Sequence, residues 1–399
     1  MRDKPYCNAP WIGLAYEGTM GCKPCCEYQG TLEKSATLGV FSGRYTDYIK
    51  SDYLKDFKKM MYNDEMSPGC RQCIDHESTK DSPSRRQKYK KYEINEHGDN
   101  KIVRLDYRAG NKCNLMCRMC HPQSSSMREE EEIKHGSRSI FRVENTDDAY
   151  DIDLSNCDTL SILGGEPSID LGVRKWIDHI KDLDMHVVIT TNATNTSKKW
   201  FDTLRQLKNL EIWLSIDATG DVNDFQRKGS DWNEIKPNII KYRDEFTKIC
   251  KGKVSIQLTA SSINFTTLDM WWEEMMSLDV PIFISSVFFP EEYSLQSIPD
   301  KYKEEQVTWL KKWIQRNDSG DMLTSQELNA ITDYDEWKKQ WKPIRQLIEA
   351  RKAITTLENN PYKPEYNHKF KREVKKMDRW RNENISDLDY RFEEIMNAL

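Results

Sequence analysis

Residues 108–122 read Arg108-Ala109-Gly110-Asn111-Lys112-Cys113-Asn114-Leu115-Met116-Cys117-Arg118-Met119-Cys120-His121-Pro122. Three cysteines stand at the spacing C-x3-C-x2-C, directly after Ile102–Tyr107, whose alternating pattern predicts a strand. Thiolates are soft ligands suited to iron–sulfur clusters or zinc. A cubane cluster usually takes four cysteines. Three close together, with no fourth nearby, leave one iron open for a substrate or cofactor. Zinc in a structural site wants four protein ligands, and His121, adjacent to Cys120, has poor geometry to be the fourth.

At these residues the chain resembles the radical S-adenosylmethionine (SAM) superfamily, whose signature is this cysteine loop after the first barrel strand. The resemblance implies that Cys113, Cys117 and Cys120 hold a catalytic [4Fe–4S] cluster, whose open iron chelates the methionine moiety of SAM. It also implies reductive cleavage of SAM to a 5′-deoxyadenosyl radical, which abstracts hydrogen from a substrate. Where the superfamily usually carries an aromatic residue, this chain has Met119, a departure that bears on adenine packing.

Downstream, short apolar runs alternate with longer amphipathic ones. The runs are Ile102–Tyr107, Thr159–Leu163, His186–Thr190, Leu210–Ile216, Val254–Ala260 and Ile282–Phe288, with helical stretches such as Leu171–Leu183 and Ser197–Leu207 between them. This alternation predicts an α/β fold with a parallel sheet. Six units fit a partial (βα)6 TIM-type barrel, whose function sits at the C-terminal ends of the strands.

The residues closing those runs continue the resemblance. Gly164-Gly165-Glu166-Pro167 is similar to the motif that binds the SAM ammonium. Two glycines let backbone carbonyls approach a cation, while Glu166 either fixes the loop or meets the charge. Thr190-Thr191-Asn192 resembles the superfamily's T-N-G, with Ala193 in place of glycine, and Leu214-Ser215-Ile216-Asp217 resembles its S-[IVL]-D. The resemblance makes Asn192 and Ser215 partners for the ribose hydroxyls or the carboxylate. It places Arg227 where related enzymes pair an arginine with the SAM carboxylate, a role that suits a bidentate fork; the plainer reading is a surface arginine.

The chain has eleven cysteines, nine of them in the first 120 residues. No apolar segment follows Met1–Pro5 to make a signal peptide, so ligation is the expectation rather than disulfides. Cys7-x13-Gly21-x4-Cys26, followed by Cys70-x2-Cys73, resembles the twitch (half-SPASM) domain, which holds one auxiliary [4Fe–4S] cluster. The matched ligands are Cys7, Cys26, Cys70 and Cys73, with Cys25 competing for the place of Cys26. Zinc on the same four residues is the alternative. Cys22, Cys157 and Cys250 are taken as spare or packing residues.

A net charge of −5 gives no general attraction to nucleic acid. The basic run Arg85–Lys91, with its tyrosines, reads as a solvated linker or helix face sooner than a nucleic-acid patch. No run approaches the ~18 apolar residues that cross a membrane, so a cytoplasmic location is expected. Three regions follow: residues 1–90 a cysteine-rich auxiliary-cluster module, 100–290 the barrel, and 291–399 a helical C-terminal extension. In the extension, Val307, Trp309, Leu310, Trp313 and Ile314 recur at helical spacing and predict a helix packed on the barrel. The excursion from Lys134 to Asp151 is expected near the active-site mouth. Twitch and SPASM relatives most often modify peptides or proteins, so a peptide or protein substrate is expected, with a reducing partner such as flavodoxin or ferredoxin. Two rivals are modification of a nucleotide or tRNA, and a non-catalytic zinc- or cluster-binding protein.

Overall fold

The computed structural model describes residues 6–18, 21–28, 41–71, 73, 74, 77, 84–94, 101–138, 146–247, 253–287, 289–318 and 334–397. Ten strands are present among them: β1 (Gly13–Glu17), β2 (Gly21–Lys23), β3 (Arg104–Arg108), β4 (Met116–Cys117), β5 (Thr159–Leu163), β6 (His186–Thr191), β7 (Leu210–Ser215), β8 (Arg227–Lys228), β9 (Val254–Ala260) and β10 (Ile282–Ser286). Eight form one sheet in the order β10-β9-β7-β6-β5-β3-β1-β2, and β4 pairs with β8. The six expected runs are all strands, and every neighbouring pair from β3 to β10 in that sheet is parallel. The sheet is therefore the partial (βα)6 barrel, because helices return the chain between successive strands.

Alternation along the strands separates two faces. Leu105, Tyr107, Leu160, Ile162, Ile212, Leu214, Ile256 and Leu258 are buried and belong to the main core. Tyr107 stacks on Trp176 of the helix Leu171–Ile180, with ring centroids 4.6 Å apart, so this face lies against the helices. The opposite face is polar. Arg104 donates to Ser161 at 2.8 Å, and His186 Nε2 lies 2.8 Å from Glu211. Toward the C-terminal ends the same face carries Arg108, Thr190 and Ser215.

The N-terminal region is not a separate layer. β1 adds to the barrel sheet parallel to β3, with Ala15 opposite Asp106 and Glu17 opposite Arg108, and β2 follows antiparallel. Buried Glu17 pairs with Lys23 at 2.5 Å on this sheet extension. The excursion expected at the mouth ends differently: residues 139–145 lie outside the described residues, and the 3-10 turn Thr146–Asp151 packs on the outer layer. There Tyr150 meets Trp176 and His179 at 5.3 and 5.0 Å.

The C-terminal extension is helical at Asp300–Asn317, Tyr334–Glu358, Pro364–Arg381 and Tyr390–Asn397. Val307, Leu310 and Trp313 are buried, and Trp313 meets Trp272 edge-on, so the first of these helices packs on the barrel as its periodicity predicts. No described helix is long and apolar enough to cross a membrane.

Candidate functional site

The C-x3-C-x2-C loop leaves β3 and turns over the C-terminal ends of the strands. Its second cysteine is held in place by β4, where Cys117 pairs with Arg227 and Met116 with Lys228. Arg118 N donates to the Gln226 carbonyl at 2.8 Å, tying the loop to the segment that follows β7. The Ser126 hydroxyl accepts from Cys113 N at 3.2 Å, and the Ser125 hydroxyl donates to the Leu115 carbonyl at 2.7 Å. His121, the weak candidate for a fourth ligand, uses Nδ1 to accept from Gln123 N at 3.2 Å and caps a short 3-10 turn.

Cys113, Cys117 and Cys120 are free thiols lining one cavity of about 210 Å³. Burial pushes the Cys113 thiol up to about 11 and that of Cys120 to about 12, and it raises Cys117 as well against the opposing pull of Arg227. Among the described residues no three His, Cys, Asp or Glu side chains converge as they would on a single metal ion. Three free thiols around a shared cavity are a donor set that fits a thiolate-ligated cluster.

Met119, Gly164, Gly165, Glu166, Asn192, Ser215 and Arg227 line the same cavity. Pro167 lies just behind it, at the start of the turn Pro167–Ile169. Each is placed for a local reason. A Cβ on Gly165 would stand 2.1 Å from the Lys112 carbonyl oxygen, so the glycine permits the cysteine loop to lie on it. Two hydrogen bonds join these loops, Gly165 N to the Gly110 carbonyl at 3.2 Å and Glu166 N to the Lys112 carbonyl at 2.7 Å. Gly164 has φ +139°, a conformation that favours glycine.

Of the two readings of Glu166, the geometry uses the first. The side chain is 1% exposed and accepts from Thr191 Oγ1 and Asn192 N, each at 2.7 Å, and from Ser168 N at 3.0 Å. It fastens the loop after β5 to the end of β6. Asn192 in turn donates to Asn114 Oδ1 at 3.0 Å, joining β6 to the cysteine loop. Ala193, standing where the superfamily has glycine, takes φ +61°; the left-handed region costs a residue with a Cβ about 1–2 kcal/mol.

Arg227 is not a surface arginine. It is 9% exposed, and its Nε and Nη2 both donate to Asp217 Oδ2, the former at 2.9 Å. Asp217 also accepts from Thr259 N at 2.8 Å. Sequence reasoning passed over Arg108, Leu163 and Thr190, which also line the cavity. Their signal was position: they lie at or beside the ends of β3, β5 and β6.

In the N-terminal region Cys7, Cys25, Cys70 and Cys73 line a second, small cavity of about 20 Å³, walled also by Tyr28, Phe57 and Met61. Burial pushes the Cys7 and Cys70 thiols up to about 12. Four free thiols on one apolar cavity are again the donor set of a thiolate-ligated cluster, while they do not converge as they would on a single zinc ion. The structure places Cys25, not Cys26, with the other three. Cys26 Sγ accepts from Arg85 Nη2 at 3.3 Å, and its thiol is held high by burial and by Asp106 on the inner face of β3. The start of the basic run also turns inward, since Arg86 Nε donates to Glu77 at 3.0 Å and Nη1 to the Tyr6 carbonyl at 3.3 Å, while Lys88, Lys90 and Lys91 stay exposed. Asn8 anchors the same helix, Arg85–Tyr89, by donating to the Tyr89 carbonyl at 3.3 Å, and to the Tyr92 carbonyl just beyond it at 2.8 Å. Cys22 and Cys157 are buried packing residues, and Cys250 lies outside the described residues.

Comparison with known proteins adds a domain match over part of the chain. No curated protein matches this sequence. Among solved structures, Streptococcus suis SuiB bound to S-adenosylmethionine is 15% identical, over 54% of this chain and 45% of that one, with a TM-score of 0.37. Native anSMEcpe with bound AdoMet is 16% identical, over 55% of this chain and 63% of that one, with a TM-score of 0.41. The chain thus spans only part of the length of these two solved structures, 45% of the first and 63% of the second. Residues 107–257 match the Radical SAM superfamily, so this stretch, which runs from the end of β3 into β9 and takes in the cysteine loop and the residues lining its cavity, is a radical SAM domain.

Proposed function

We propose that the chain is an enzyme that cleaves SAM at a [4Fe–4S] cluster held by Cys113, Cys117 and Cys120, and acts on a peptide or protein side chain. The observation that carries the reading is convergence. Three thiols, the Gly164-Gly165 turn, Asn192, Ser215 and Arg227, spread over 115 positions of sequence, line one cavity at the C-terminal ends of the strands. When bound, the cluster supplies the electron that breaks the SAM sulfonium and releases a 5′-deoxyadenosyl radical. The chain's own part is positioning and exclusion of water. Glu166 holds the β5 loop on β6, Gly165 lets the cysteine loop close over it, and the Arg227–Asp217 pair sets the wall beside Cys117.

The N-terminal thiols Cys7, Cys25, Cys70 and Cys73 are read as ligands of a second, auxiliary cluster of the twitch type, with Cys25 replacing Cys26. The peptide substrate follows from that resemblance, as do a reductant of the flavodoxin or ferredoxin kind and a cytoplasmic setting. The inward pairing of Arg85 and Arg86 takes two of the five cations out of the basic run that a nucleotide or tRNA substrate would use, and leaves Lys88, Lys90 and Lys91 exposed.

Iron and acid-labile sulfide are to be measured per chain after anaerobic purification, together with 5′-deoxyadenosine formed from SAM and dithionite. Wild type is expected to hold about eight irons and to release 5′-deoxyadenosine. Cys113/Cys117/Cys120→Ala is expected to hold about four and to release none. Zinc in place of iron, or no 5′-deoxyadenosine from an iron-loaded protein, overturns the reading. Cys25→Ala is expected to lower iron by about four and Cys26→Ala to leave it unchanged.

A further inference from the structure

The cysteine loop is gripped from outside by a part of the chain that lies beyond the superfamily match. Arg118, between Cys117 and Cys120, has a side chain with 0% exposure. Its Nη2 stands 2.7 Å from Asp378 and 2.6 Å from Glu383, more than 250 residues away in sequence. Nε donates to the Phe225 carbonyl at 3.3 Å, and the guanidinium lies 3.7 Å from the centre of the Phe225 ring. Two residues earlier, the Met116 carbonyl accepts from Arg381 Nη2 at 2.7 Å. Arg381 also donates to both oxygens of Glu131, at 2.7 and 2.8 Å. Glu131 pairs with Arg128, whose Nε reaches the Cys120 carbonyl at 3.4 Å. Lys228, the strand partner of Met116, closes the ring on Glu383 at 2.5 Å.

The two acids are themselves held. The helix Pro364–Arg381 ends at Asn382, whose left-handed backbone (φ +53°) turns the chain, and Glu383 N returns to the Asp378 carbonyl at 3.0 Å. Ile385 N donates to Asp378 Oδ2, also at 3.0 Å. A buried guanidinium between two cluster ligands is thereby answered by two fixed carboxylates.

We propose that the end of the C-terminal extension is a clamp for the cluster site. Asp378, Glu383 and Arg381 are positioning residues: they set the path of the Cys113–Cys120 loop and cancel the charge of Arg118 beside the cluster. The inference rests on the reading that this loop binds the cluster, but only its electrostatic half does.

The test uses full-length protein carrying Asp378→Asn, Glu383→Gln or both, with Glu304→Gln as an exposed control. Hydrogen exchange is followed in the cluster-free protein, and the midpoint potential of the loaded protein is read by EPR-monitored titration. The double variant is expected to exchange residues 113–120 at least about tenfold faster, with β5 and β6 protected as in wild type. Its midpoint potential is expected to rise, because Arg118 is left uncompensated in a site of low dielectric. Adding Arg118→Gln is expected to bring the potential back toward wild type without restoring loop protection, which a merely structural role would not do. Unchanged exchange and unchanged potential overturn the clamp. If the double variant loses protection throughout the barrel, Glu383→Gln decides by the same two readouts, since Asp378 still answers Arg118. A wild type that binds no iron defeats the proposed function, and the exchange arm still judges the grip.

Discussion

Glu166 accepts the Asn192 backbone proton at 2.7 Å with one carboxylate oxygen and the Thr191 hydroxyl at 2.7 Å with the other. The acid of the Gly-Gly-Glu-Pro turn is therefore a fastener between two strand ends. A carboxylate that met only a bound cation would leave folding stability untouched when replaced. One that holds buried donors would not, because a donor left without a partner costs about 1–3 kcal/mol. Glu166→Gln is expected to lower unfolding stability by about that amount and to weaken SAM binding, as Asn192 shifts on the cavity wall. Urea unfolding and calorimetric SAM titration measure the two effects.

Gly165 makes a second, steric claim. A Cβ there would meet the Lys112 carbonyl oxygen at 2.1 Å, its carbon at 2.5 Å and the Asn111 carbonyl oxygen at 2.6 Å. All three are backbone atoms, so the cysteine loop itself has to move. Gly165→Ala is expected to lose the iron of the 113–120 loop while keeping the far-UV circular dichroism of the barrel. Iron retained at the wild-type level would show that the loop has room the structure does not show.

The barrel was legible because its signal is local. Thr159–Leu163 and Val254–Ala260 are strands over the bounds that their apolar runs predict, and the cavity residues fall at strand ends, where a barrel puts them. What was not legible depends on partners distant in sequence. β1 joins β3 across some ninety residues, and no periodicity in Gly13–Glu17 announces a parallel neighbour. Arg118 reads as an ordinary loop cation until Asp378 and Glu383 arrive from the far end of the chain. Cys25 and Cys26 are adjacent, and which thiol faces the other cysteines is settled by backbone direction, which a spacing pattern does not contain.

The Glu17–Lys23 pair on the sheet extension carries a pH dependence. Burial works against the Glu17 carboxylate, but Lys23 and Arg108, with hydrogen bonds from Lys23 and Gln123, hold it below the usual carboxylate range. A depressed folded value stabilises the protein above the unfolded value of about 4.3, and the stabilisation is lost as pH falls through the folded value. Wild type is thus expected to melt above Glu17→Gln at pH 6–7, with the gap closing as pH drops below about 4. Thermal melts of both proteins between pH 3 and 7 check this. A gap that stays constant would mean that the pair adds nothing through its charge.

Arg227 and Asp217 offer a way to separate stability from SAM recognition. The pair is buried and shares two hydrogen bonds, so breaking it from one side leaves an uncompensated charge. Such losses run to about 3–5 kcal/mol, and Asp217→Asn is expected to destabilise by that order. Replacing both partners removes the stranded charge and is often close to neutral. In Asp217→Asn/Arg227→Met, the asparagine oxygen still accepts from Thr259 N, and most of the lost stability is expected to return. SAM affinity then reports on the guanidinium alone. If Arg227 meets the SAM carboxylate, binding stays weak in the double variant although the fold has recovered. Affinity that recovers with the fold would instead make Arg227 a strut for the wall beside Cys117, and the carboxylate would have to find another partner in the cavity, with Arg108 the remaining arginine on its lining.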